Sequence, residues 1–191
     1  MLYSITPKLN YMKIFKWILI IVVILIAIPL IVALFTKKEY IVEREIVINK
    51  PKADVFNYIK YLKNQNNYSK WNMMDPNAKI DYKGTDATVG FVSSWDSQNK
   101  NVGKGEQEIV KITDGERLDM NLHFFKPMDI RCTASMTTEA AGANQTKVKW
   151  CFNGNMPYPM NFMLVCMNME KMIGDDLATG LTNLKTLLEK Q

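Results

Sequence analysis

From Trp17 to Thr36 the chain runs for 20 consecutive residues without a charge, nearly all of them Ile, Leu, Val, Ala or Phe. A soluble fold would have to cover such a stretch on every side, whereas a hydrocarbon core about 30 Å thick needs about 20 helical residues to cross it. Ile18 to Phe35 meets that length, with Lys13 and Lys16 before it and Lys37 and Lys38 after it. Pro29 would break a helix in water, but a spanning helix tolerates one proline. A cleaved signal peptide would carry an apolar stretch of about 7–15 residues ending in a small-x-small site. Here the run is longer, and Val32-Ala33-Leu34-Phe35 offers only Ala33. The chain therefore divides into a short basic segment over 1–16, an uncleaved transmembrane helix over 17–36 and one domain over 37–191.

Flanking charge does not orient this anchor, because Lys8, Lys13 and Lys16 on one side balance Lys37, Lys38 and Arg44 on the other. Met12-Lys13-Ile14-Phe15-Lys16 has the form of a start, so both Met1 and Met12 fit as the first residue. A short basic start before a long apolar run resembles a signal anchor, which places the domain outside the cytoplasm in a single-pass membrane protein. All 19 acidic residues lie after position 36 together with 21 of the 24 Lys and Arg, so the domain is close to neutral. A nucleic-acid binder would show a concentrated basic face, and no nucleic-acid partner is expected. Regular apolar patterning, with Trp71, Trp95 and Trp150 to bury, excludes a disordered tail.

Tyr40 to Asn49 alternates Val42, Arg44, Ile46, Ile48 against Ile41, Glu43, Glu45, Val47, which predicts a strand. Pro51 suits the first turn of a helix, where no backbone donor is needed. Val55, Phe56, Ile59 and Leu62 then recur at helical spacing to about Tyr61, and a shorter helical piece is expected over Asn67 to Trp71. Glycines and prolines next separate runs of strand length at about 79–83, 88–95, 104–113, 116–125, 130–139 and 146–154. Leu118, Met120, Leu122 and Phe124 alternate with polar neighbours, as do Val148, Trp150 and Phe152, the mark of antiparallel strands with one buried face. Asp114-Gly115 supplies a hairpin turn. After Pro159 a helical stripe of nearly 30 residues runs through Phe162, Val165, Met169, Ile173, Leu177, Leu181, Leu184 and Leu188. Its first half, Met160 to Met169, is apolar on nearly every face, broken only by Asn161 and Asn168. The order implies an α+β domain in which a curved antiparallel sheet wraps a long C-terminal helix, with space for a ligand between them.

Ile46-Val47-Ile48-Asn49-Lys50-Pro51-Lys52-Ala53-Asp54-Val55-Phe56 followed by Asn67-Tyr68-Ser69-Lys70-Trp71 resembles the START-like superfamily, also called SRPBCC. More narrowly it is similar to the polyketide cyclase/dehydrase branch, over about residues 40–190. The Gly103-Lys104-Gly105 to Ile112 segment and the long last helix fit the same pattern. The resemblance implies the helix-grip (Bet v 1-like) fold and a hydrophobic small-molecule ligand, such as a lipid, steroid, polyketide or quinone. Some members of the superfamily are enzymes and others are protein co-factors. The spanning helix lies outside the shared domain.

Candidate chemistry is sparse. One histidine, His123, leaves no multi-histidine metal site, and neither a P-loop nor G-x-S-x-G is present, so no metal and no cofactor is expected. His123 is out of phase with Leu122 and Phe124 and is expected to face solvent. Cys132, Cys151 and Cys166 form no C-x-x-C pair and are expected as buried small hydrophobes. A carboxylate in an apolar pocket could move protons, and Glu106, Glu108, Glu139 and Glu170 are candidates, with Glu106 and Glu170 foremost as polar cavity groups. Glu170 follows the all-apolar stretch, yet a surface pairing with Lys171 or a neighbouring strand's charge is the favoured reading for it. The apolar lining is expected from the aromatics Phe91, Trp95, Trp150 and Phe152 and from Met120, Met136, Met160, Met163 and Met167. The function read from these residues is a membrane-anchored domain that binds a hydrophobic small molecule, with the bilayer and that ligand as partners. The alternatives are a cyclase or dehydratase using a cavity carboxylate, and a protein-interaction module.

Overall fold

The computed structural model describes residues 11–190. The first part of the basic N-terminal segment, with Lys8, and the terminal Gln191 lie outside the described residues. Helix α1, Tyr11–Phe35, begins six residues before the uncharged run, since Tyr11 to Lys16 offer no breaker. At 1.5 Å per residue its 25 residues extend about 37 Å. Nearly all its large apolar side chains are uncovered, and only Ala33 is buried. It is the one helix among the described residues long and apolar enough to cross a membrane.

The domain follows as β1 (Glu39–Ile48), α2 (Lys52–Ile59), a 3₁₀ turn (Leu62–Asn67), α3 (Lys70–Met73) and then six strands. These are β2 (Lys79–Lys83), β3 (Val92–Asp96), β4 (Lys104–Thr113), β5 (Arg117–Lys126), β6 (Ile130–Gly142) and β7 (Gln145–Asn155). Together they form one seven-stranded sheet of order β1-β7-β6-β5-β4-β3-β2, antiparallel throughout. The first strand closes on the last, so chain positions about 110 residues apart, such as Val42 and Phe152, are paired. The predicted helical piece at Asn67–Trp71 is replaced by the 3₁₀ turn and α3 on either side of Tyr68, whose side chain is wholly buried.

Alternation decides which side chains enter the core. Val42, Ile46 and Ile48 share a face with Val148, Trp150 and Phe152, then with Ala134 and Met136, then with Leu118, Met120, Leu122 and Phe124. This inner face is covered by α2 at one end and by α5 (Met169–Glu189), which lies mainly over β1. Helix α5 buries Leu177, Leu181, Leu184 and Leu188 at three- and four-residue spacing, together with Gly174 and Gly180. The two glycines permit close approach: a Cβ at Gly174 would collide with the Arg44 guanidinium, and one at Gly180 would meet the Trp150 ring.

The expected single C-terminal helix is instead broken. Met160–Phe162 is a 3₁₀ turn and Met163–Cys166 a single turn, α4. Met167 is extended, and Asn168 caps α5 by accepting from the Lys171 amide at 2.8 Å. An asparagine at this point satisfies a free N–H of the first turn and ends continuity with what precedes it. The cysteines also depart from expectation, because only Cys132 is buried. Cys151 is half-buried on the outward phase of β7 and Cys166 is exposed on α4.

Candidate functional site

The inner face is not uniformly buried. At its far end, where β1 finishes and α5 ends with Glu189 accepting from the Asn49 amide at 2.7 Å, Ile48, Val148, Met136 and Leu118 are sealed from solvent. Val55, Phe56 and Ile59 of α2 close this side. At the near end, where α1 joins β1, the same face carries Tyr40, Leu122, Phe124, Ile130 and Trp95, all only partly buried. Trp95 and Phe124 meet edge to face at 5.7 Å. Residues 156–168 cross this end on their way from β7 to α5.

The nine expected apolar lining residues divide along that gradient. Phe91, Met120, Met136, Trp150 and Phe152 lie in the buried core on the inner face. Trp150 is wedged edge-on between Tyr68 and Trp71, at 5.8 Å and 6.0 Å between ring centres. Trp95 stands at the near end, and Met160, Met163 and Met167 are half-buried on the crossing segment. Tyr40, Leu122, Phe124 and Ile130 were not singled out. The alternation of β5 contained the signal for Leu122 and Phe124, whereas Tyr40 and Ile130 are placed by strand register.

Polar groups on the inner side are mostly amides and hydroxyls; Arg44, opposite Trp150 in the inner phase of β1, brings its guanidinium out to Gly174 and Glu170 of α5. Gln107 Nε2 donates to Gln65 Oε1 at 2.8 Å, and Gln65 Nε2 lies 3.7 Å from Met120 Sδ. The Tyr68 hydroxyl donates to Met136 Sδ at 3.5 Å, and burial pushes its pKa far above the usual phenol value. Burial, with a smaller contribution from Cys132, pushes Tyr40 up to about 12. Burial also raises the Cys132 thiol. Both near-end groups thus stay protonated at neutral pH, and Tyr40 can donate a hydrogen bond. No Asp, Glu, Lys, Arg or His among the described residues is fully buried.

The carboxylates expected in the cavity are elsewhere: strand phase turns Glu106, Glu108 and Glu139 outward, and Glu170 lies on the exposed first turn of α5. Glu106 and Glu108 sit on the outward phase of β4, against Asn121 and His123 of β5. Glu139 pairs with Lys147 at 2.8 Å on the same outer face. Glu170 is at the surface, 2.6 Å from Arg44 Nη1 of β1. His123 also points outward, but it is largely covered, with Nε2 2.8 Å from Asp129 Oδ1 and its ring 4.3 Å from that of Phe125. A groove of about 660 Å³ runs over this outer face between Glu39, Glu106, Glu108, His123, Arg131 and Asn153. A smaller one of about 280 Å³ follows Glu43, Arg117, Glu139 and Lys149. In the smaller groove the charges are matched locally, as in Arg117 with Asp119 at 2.7 Å and Lys149 with Glu43 at 3.4 Å.

One further polar residue stands apart. Asn161, wholly buried, donates from Nδ2 to Ala33 O at 2.7 Å and to Thr36 O at 2.9 Å. It satisfies carbonyls that the end of α1 leaves without helical partners. Its interruption of an otherwise apolar stretch was the visible sign of a special position.

Solved structures share this architecture. Norcoclaurine synthase from Thalictrum flavum, in complex with dopamine and hydroxybenzaldehyde, aligns with a TM-score of 0.59 at 10% identity, covering 83% of this chain and 91% of that one. The Aha1 dimer from Colwellia psychrerythraea gives 0.52 at 18% identity, covering 78% and 96%. Protein CV1439 from Chromobacterium violaceum gives 0.55 at 12% identity, again covering 78% and 96%. At these identities the likeness establishes the fold alone. No curated sequence matches significantly. Residues 40–189 match the profile of the family described as polyketide cyclase / dehydrase and lipid transport. The match spans most of the chain, and the protein belongs to that family within the SRPBCC superfamily.

Proposed function

We propose that this protein is a membrane-anchored domain that holds a hydrophobic small molecule, a lipid, polyketide or quinone-like compound, between the inner face of the sheet and α5. The gradient in the inner face carries this reading: its far end is sealed, while its near end presents incompletely covered apolar side chains. Trp95, Phe152, Met160, Met163 and Met167, joined by Leu122, Phe124 and Ile130, supply the apolar surroundings, and Phe91, Met120, Met136 and Trp150 form the buried core behind them. Covering about 300 Å² of apolar ligand surface would contribute roughly 7 kcal/mol before entropic costs, enough for useful binding without a charged anchor. Tyr40 provides a neutral donor for a ligand oxygen. The family description, which includes lipid transport, supports the same class of ligand.

Helix α1 supports the anchor, because its exposed apolar side chains would be insoluble without lipid around them. Retention of α1 accords with the buried Asn161 amide, which would lose both acceptors if the helix were removed. The signal-anchor form supports a domain on the non-cytoplasmic side. A topology reporter fused after Gln191 tests the side, and a cytoplasmic signal overturns it. Native mass spectrometry of the full chain, released gently from detergent, tests the ligand. Retention of a stoichiometric apolar molecule is expected, and a bare polypeptide mass from every membrane source would sink the binding reading. Cyclase or dehydratase chemistry is the second reading, motivated by the family description. It needs a proton-transfer group facing the ligand, and Tyr40 and Cys132, both held protonated by burial, are the nearest inner-face candidates.

A further inference from the structure

Asn161 fixes where the segment between β7 and α5 sits relative to α1. Its amide holds Ala33 in the last turn of the helix and Thr36 just after it, and the Met156 amide donates to Lys38 O at 2.8 Å. Lys37 and Lys38, both exposed, mark the level of lipid headgroups beside the apolar run. Ala33 lies about 4.5 Å deeper along the axis than Thr36, at 1.5 Å per residue. A chain packed against Ala33 is therefore at or below the headgroup level.

That chain is suited to such a place. Met156 to Met169 contains no charged side chain. It leaves Tyr158 43% and Val165 60% exposed, with Cys166 exposed beside Val165. In water these side chains would cost free energy, while at a bilayer surface the same apolar faces are stabilised by burial, and tyrosine favours the interface itself.

We propose that Tyr158–Met167 is a second membrane contact, an interfacial segment resting in the leaflet around the C-terminal end of α1. The near end of the inner face then opens onto lipid, the phase in which an apolar ligand is concentrated. This inference rests on the reading that α1 spans the bilayer.

Spin-label depth measurements on the full chain in phosphatidylcholine–phosphatidylglycerol vesicles test it. One label goes on native Cys166 in a Cys151→Ser background, and another on Val165→Cys with Cys151 and Cys166 both changed to Ser. Labels on Ile24→Cys and Asn144→Cys serve as references for the span and for the exposed β6–β7 turn at the sealed far end. The expected result is oxygen-favoured accessibility for the Ile24→Cys, Cys166 and Val165→Cys labels, the last two about 5–10 Å into the headgroup–acyl boundary, and water-like accessibility for the Asn144→Cys label. Water-like behaviour of both α4 labels, with the Ile24→Cys label in lipid, overturns this inference and leaves the anchor standing. A water-exposed Ile24→Cys label overturns both.

Discussion

Gly180 of α5 lies directly against the indole of Trp150, so close that a Cβ there would stand 2.9 Å from the ring. The ring cannot yield easily, because Tyr68 and Trp71 meet it edge-on. Gly174, six residues earlier, is more crowded still, but by the far end of Arg44, a flexible side chain held at the surface by Glu170.

These two contacts predict opposite outcomes for the same substitution. Gly180→Ala should destabilise the domain, because overpacking costs about 1–3 kcal/mol and exceeds the helix-propensity gain of about 1 kcal/mol. Gly174→Ala should be near neutral, since Arg44 can swing into solvent and its exposed ion pair is worth at most about 1 kcal/mol. Chemical denaturation of the two variants in the same detergent checks the difference, and equal destabilisation would show that α5 does not sit on the sheet this closely.

The unequal ends of the inner face should respond differently to truncation. Met136→Ala at the sealed end should cost about 2–5 kcal/mol. Leu122→Ala at the near end should cost less than about 2 kcal/mol, because the side chain is only partly buried. Leu122→Trp should preserve the fold while displacing any retained apolar molecule. Thermal melts with mass spectrometry of the bound fraction separate these cases; a ligand that survives Leu122→Trp places its site elsewhere.

Alkaline stability follows from the two buried phenols. Both Tyr40 and Tyr68 have folded-state pKa values above the ordinary 10.0, so the unfolded chain releases those protons first. Their stabilising effect is complete below pH 10 and, for Tyr40, is lost as pH rises from there through about 12. Ultraviolet titration of tyrosinate should show these two ionising last among the 8 tyrosines, and only after or with unfolding. Tyr40→Phe and Tyr68→Phe should each remove one late step; an unchanged profile in either variant would count against its burial.

Asn161→Ala should loosen the joint between α1 and the domain. Two carbonyls lose their donor, at a cost of about 1–3 kcal/mol for groups left buried and unpaired. A change of 1–2 kcal/mol corresponds to a roughly 5–30-fold larger open population. Trypsin cleavage after Lys37 and Lys38 should accelerate by a comparable factor under conditions where opening equilibrates faster than cleavage. Unaltered cleavage would mean that Asn161 does not tie the helix down.

Local patterning carried most of the architecture. Period-two alternation in Leu118–Phe124 and Val148–Phe152, the proline-started helix at Pro51 and the leucine spacing of α5 each concern neighbouring residues, whose burial follows from backbone geometry alone. The uncharged run over 17–36 is legible for the same reason. What sequence left open depends on partners far along the chain. The pairing of Arg44 with Glu170 joins positions 126 residues apart, and the outward phase of Glu106 matters only once the neighbouring strands define an inside. The break at Met167–Asn168 was hidden because apolar residues on every face fit a helix, a turn or a membrane contact alike. Tertiary structure resolved it by docking Asn161 onto α1 and restarting the helix at the Asn168 cap. Periodicity is a property of consecutive residues, whereas the openness of the near end depends on how β1, β5, β6 and α5 come together in space.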